Sequence, residues 1–152
     1  MAAINSRRVW LGTLLGGIVF FVWSMITEFG LSALIVGQAR MDIATMNAWF
    51  LKEPRVPIAV FFVVWVVSLF AIAYGLAWLY AHLRTSAGAG PGTAAKLGLI
   101  VGFAAGFPLE FAHSVFQPLS ARYGIMWMVE MIVGTILAAL AAGWVYREPD
   151  KV

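Results

Sequence analysis

Four apolar runs, each long enough to cross a bilayer as a helix, leave this chain few folds to choose from. They cover about residues 9–37, 57–83, 95–116 and 123–146. A helix rises about 1.5 Å per residue, so about 20 apolar residues cross a hydrocarbon core of about 30 Å. In lipid every backbone N–H and C=O needs a protein partner, and a helix supplies them within one segment. The expected fold is therefore all-α, a polytopic integral membrane four-helix bundle. Composition agrees. Hydrophobic residues make up 62% of the 152 and charged residues 11%, against about 25% charged in a soluble domain. The length suits one domain spanning 1–152.

The segments between the runs are short, with one exception. Arg7-Arg8 before an apolar run resembles a secretory signal. That run is longer than the roughly 7–15 residues of a signal core, so it reads as the first transmembrane helix. Residues 85–92 (TSAGAGPG) read as a loop, and Gln117-Pro118 closes the third run. The exception is residues 38–55. Ile43, Met46 and Phe50 line one helical face there, with Thr45 roughly opposite. Met41, Trp49 and Leu51 lie off that stripe. An interfacial helix between the first two spans is expected, either as a lid on the bundle or as a surface for a partner.

An even number of spans puts both termini on one side. That side carries Arg7, Arg8, Arg84, Lys96, Arg147 and Lys151, and the other carries Arg40, Lys52, Arg55 and Arg122. The excess points to cytoplasmic termini. Trp10, Trp78, Tyr80, Trp144 and Tyr146 fall near the terminal-side ends of their spans, as in an interfacial aromatic belt. His82 lies at the same interface and reads as solvated or headgroup-facing. The net charge of +3 comes from basic residues at helix ends, where lipid headgroups explain them. There is no basic patch with interleaved aromatics, so nucleic acid is not expected as a partner. The chain has no cysteine, which excludes thiol–disulfide chemistry and Cys-ligated zinc or iron–sulfur centres.

Against this background Glu28, Glu110, His113 and Glu130 stand out. Ionisable groups at membrane depth are rare and face a bundle interior, a partner or a water-filled path. Counted at 1.5 Å per residue, Glu28 lies about 28 Å from Val9. Glu110 and His113 lie about 21 and 25 Å from Lys96, and Glu130 lies about 25 Å from Arg147. The four are expected to share one layer on the side away from the termini. Ser68 is the second span's nearest polar group.

Small residues lie on the same faces. Ser24, Phe21 and Gly17 precede Glu28 at helical spacing, and Gly98, Gly102 and Gly106 precede Glu110. Gly134, Ala138 and Ala142 follow Glu130. Gly12 and Gly16 form a further small-xxx-small pair. Such faces let helices approach closely, within one chain or between chains. Pro108 removes a backbone donor just before Glu110 and is expected to kink the third helix. Trp23 and Trp65 read as packing or lipid-facing residues, and Met25, Met126, Met128 and Met131 as filler.

Glu110 and His113 form a Glu-x-x-His pair, with both side chains on one helical face. Di-iron and di-manganese four-helix bundles place ligands this way. With Glu28 and Glu130 the pair offers a Glu/Glu/Glu/His set suited to a divalent iron, manganese or zinc ion. Two readings without metal stand beside it. Three carboxylates in one low-dielectric layer do not all ionise, so they share a proton. That describes either a hydrogen-bonded packing network or a proton relay.

The block Gly16-Gly17-Ile18-Val19-Phe20-Phe21-Val22-Trp23, with the closing segment 134–146, resembles uncharacterised small bacterial four-helix membrane proteins. The resemblance implies four helices in a bacterial inner membrane and no activity. Membrane-bound glutathione transferases use an Arg/Asn/Glu pattern in their second span, and residues 57–83 have none of these. Small multidrug exporters share a membrane Glu in the first span but lack the 38–55 loop and the Glu-x-x-His pair. No nucleophile constellation or nucleotide loop is visible, so the chain reads as a non-enzyme. The role expected first is that of an accessory or assembly subunit of a membrane complex, or a small homo-oligomer. Its partners are then the lipid bilayer and other transmembrane helices. A transmembrane metal protein and a proton-coupled small transporter are the alternatives.

Overall fold

The computed structural model describes residues 4–35, 57–116 and 121–146, and among these it is all-helical. Helix α1 (Ser6–Met25) passes into a π-helical segment (Ile26–Leu31) and a last α turn (Ser32–Ile35). Helices α2 (Ile58–Ala87), α3 (Pro91–Phe116) and α4 (Ala121–Val145) follow. Each of the four contains a stretch long and apolar enough to cross a membrane. The expected interfacial helix at 38–55 lies outside the described residues.

Local chemistry sets the helix limits, and it moves some expected ones. Asn5 caps α1, its side-chain oxygen accepting the Arg8 N–H at 3.2 Å, as an N-cap should. The helix therefore starts three residues before the apolar run does. The loop expected at 85–92 shrinks to Gly88–Gly90. Thr85 and Ser86 stay helical because their hydroxyls donate back to the carbonyls of His82 (2.7 Å) and Leu83 (3.2 Å). Gly88 and Gly90 turn the chain at φ +85° and +145°, where a side chain would be strained. Pro91 then opens α3, at a position where a missing N–H costs nothing. The helix runs on through Pro108.

Helix α4 packs on all three others, whereas α1 and α3 have no comparable contact with each other. Two registers account for this. Along α1, Gly12 faces Ala142, Gly16 faces Ala138, and Phe20 fills the space over Gly134. Each step of four along α1 is matched by a step of four back along α4. Along α3, Gly98 lies against Ile136, Gly102 against Ile132 and Gly106 against Met131 and Met128. A Cβ on Gly98 would sit 2.5 Å from Ile136 Cα and 2.6 Å from the Thr135 carbonyl oxygen, so only glycine permits this approach. Thr135 ties the same seam, donating to the Gly98 carbonyl at 2.8 Å. Gly17 faces a third way, onto Phe70 of α2.

The bundle is closed at the end that holds both described termini. There the Asn5 N–H donates to the Tyr146 hydroxyl at 2.9 Å, and the Gly90 N–H donates to the Tyr80 hydroxyl at 3.0 Å. Arg84 donates to the Tyr146 carbonyl at 3.2 Å and lies over its ring. The terminal-side aromatics thus divide. Trp10, Trp78 and Trp144 are exposed, while Tyr80 and Tyr146 are buried and join helix ends. Leu69, Ala73, Leu76 and Ala77 bury α2 at this end. At the other end α2 is open, with residues 59–64 all exposed.

Candidate functional site

The polar groups occupy the open end, as continuations of the two packing registers. One step beyond Phe20 on α1 comes Ser24, and one step beyond Gly134 on α4 comes Glu130. The register pairs them, and Ser24 Oγ donates to Glu130 Oε1. One further step brings Glu28 beside Trp127, whose indole Nε1 donates to Glu28 Oε1 at 2.6 Å. On α3 the step beyond Gly106 is Glu110, whose carbonyl oxygen lies against Gly124. The close glycine packing and the carboxylates are therefore parts of the same two seams.

These contacts form a staircase along α4, with Ser24 at Glu130, Glu28 at Trp127 and the Glu110 carbonyl at Gly124. The six residues from 124 to 130 span about 9 Å at 1.5 Å per residue. Side chains on a helix tilt toward its N-terminus. Glu28 and Glu110 thus lean back into the bundle, while Glu130, on the antiparallel α4, leans out toward them. The lean brings the three within electrostatic reach of one another: Glu110 acts on Glu28, and both act on Glu130.

Burial differs along the staircase. Glu130 is 5% exposed and Glu110 8%, while Glu28 is half-buried. Glu130 Oε2 is fully enclosed and makes no hydrogen bond among the described residues. The hydrogen bonds to the Glu28 and Glu130 carboxylates come from neutral groups, an indole and a hydroxyl. Trp23 adds a third link, its Nε1 donating to the Glu130 carbonyl at 3.1 Å. Around the π-helical segment, Thr27 donates to the Trp23 carbonyl at 3.0 Å and Ser32 to the Glu28 carbonyl at 2.5 Å. These hydroxyls serve carbonyls where the helical ladder changes spacing.

The expected metal set includes His113, whose side chain lies outside the described residues. No three His, Cys, Asp or Glu side chains among the described residues are arranged to hold an ion. Iron, manganese and zinc need several donors at about 2 Å from one point. His113 continues α3 one turn beyond Glu110. His82 is at the opposite end, exposed, with its ring 4.0 Å from that of Trp78. Ser68 is exposed, its hydroxyl donating to the Val64 carbonyl at 2.8 Å.

Three residues of the site are not evident as such from sequence. Trp23 reads as a packing or lipid-facing residue and Ser24 as part of a packing face, and nothing in the sequence singles out Trp127. The available signal is chemical: an indole N–H or hydroxyl inside an apolar bundle needs an acceptor. Comparison with known proteins finds no matching protein family, no matching curated protein and no matching solved structure.

Proposed function

We propose that this chain is a multi-pass integral membrane protein that works by packing against other transmembrane helices. It serves as an accessory or assembly subunit of a membrane complex, or forms a small homo-oligomer. The observation that supports this is the open end of α2. Residues 59–64 make more than one full turn, and all six are exposed. Val60, Phe61, Phe62, Val63 and Val64 are apolar around the whole circumference, a pattern that belongs to a helix enclosed by lipid and neighbours. The glycine faces do not supply the partner surface, because Gly12, Gly16, Gly17, Gly98, Gly102, Gly106 and Gly134 all meet helices of the same chain. The basic residues favour cytoplasmic termini, and the resemblance favours a bacterial inner membrane.

Extraction into native lipid discs followed by mass determination tests the proposal. The expected particle contains more than one 16.6 kDa chain, or this chain with a second polypeptide. Val63→Trp and Val64→Trp, bulky but apolar, are expected to release it at unchanged helix content. A stable monomer with no copurifying partner contradicts the reading.

A further inference from the structure

We propose that Glu130 is a proton-binding site, with the proton carried on Oε2. The argument starts from one atom. Glu130 Oε2 is fully buried and accepts no hydrogen bond among the described residues, while Oε1 takes the Ser24 hydroxyl. An ionised carboxylate with one bare oxygen in an apolar interior is the costliest state this side chain can adopt. Protonation removes the charge and asks far less of the surroundings.

The neighbours favour the same state. Glu28 on α1 and Glu110 on α3 both act electrostatically on Glu130, and carboxylates that share a site do not all ionise. Helix α2 brings no Asp, Glu, His, Lys or Arg between 58 and 81. Arg122 and Tyr123 lie about two turns back along α4. His113 follows Glu110 by one turn, with its side chain outside the described residues. The donors to Glu28 and Glu130 are neutral, so neither hydrogen bond cancels a charge.

A proton suits this geometry better than a metal ion does. A metal ion needs several oxygens or nitrogens converging on one point, which the staggered carboxylates do not provide. A proton needs one oxygen. Glu28 is the least enclosed of the three. The inference holds whether the chain works alone or in a complex, so failure of the assembly reading leaves it standing.

Infrared spectroscopy of the full chain in lipid discs tests it at neutral pH. The expected spectrum contains the C=O stretch of one protonated carboxylic acid per chain, shifted in D2O and lost in Glu130→Gln. Ser24→Ala, which leaves the carboxyl in place, is expected to move that band without removing it. It serves as the second readout if Glu130→Gln fails to fold. Elemental analysis of the same sample is expected to find no stoichiometric metal. A spectrum with every carboxylate ionised overturns the proposal. So does a band that persists in folded Glu130→Gln, a band that Ser24→Ala leaves unmoved, or a bound metal that Glu130→Gln releases.

Discussion

At the scale of single residues, the open end depends on a few hydrogen-bond donors placed against carboxylates. Trp127 shows the logic. Its ring packs on Tyr123, with centroids 5.7 Å apart, while its N–H serves Glu28. Trp127→Phe keeps an aromatic ring and removes the donor. It is expected to lower stability by about 1 kcal/mol, within the range for hydrogen bonds between membrane helices. Reversible unfolding in mixed micelles measures this, and unchanged stability would mean that the Glu28 contact carries nothing. The three glutamates are legible in the sequence because charge inside an apolar run is conspicuous. Their donors are not, because Trp and Ser are unremarkable in a membrane helix.

At the scale of elements, two seams on α4 organise the molecule. A stripe of glycines at every fourth position announces a close-packing face but not its partner. Periodicity marks a side of a helix and says nothing about what lies beyond it. Gly98, Gly102 and Gly106 meet α4, Gly12 and Gly16 meet α4 from the other side, and the adjacent Gly17 meets α2. Gly98→Ala is expected to destabilise by about 1–3 kcal/mol, the range for overpacking a filled core, because its Cβ would meet α4 backbone. Gly75→Ala has open space around it and is expected to be neutral or slightly stabilising, since alanine favours a helix. The same micelle unfolding assay compares the two, and equal effects would refute the seam. Thr135→Val removes the hydroxyl that ties α4 to the Gly98 carbonyl and is expected to cost about 0.6–1.7 kcal/mol, as for other hydrogen bonds between membrane helices. The turn between α2 and α3 adds a local test. Gly88→Ala forces a Cβ onto φ +85° and is expected to cost about 1 kcal/mol or more.

At the scale of the whole molecule, the four spans are legible because hydrocarbon thickness selects helices of a narrow length range. Their antiparallel order shows in which helix ends meet. The pairings at one end, Asn5 with Tyr146, Arg84 with Tyr146 and Gly90 with Tyr80, join the start of α1, the end of α2, the start of α3 and the end of α4. What sequence does not reveal is that, among the described residues, α2 is buried toward that end and exposed at 59–64. Closure depends on which residues of α2 find neighbours, and an evenly apolar helix gives no periodic signal of that. The open end then holds both the carboxylate staircase and the exposed turn of α2.

In the proposed topology the bundle crosses a bilayer four times, with its carboxylates toward the side opposite the termini. The chain has no cysteine, so an introduced one is the only thiol present. Ser6→Cys and Ser86→Cys mark the closed end, and Pro57→Cys and Ala121→Cys mark the open end, all at exposed positions. Labelling in oriented vesicles with a membrane-impermeant thiol reagent measures sidedness directly. Positions 6 and 86 are expected to react from one side only, and 57 and 121 from the other side only. Labelling of 6 and 86 from opposite sides, or of all four from the same side, would contradict the four-pass bundle.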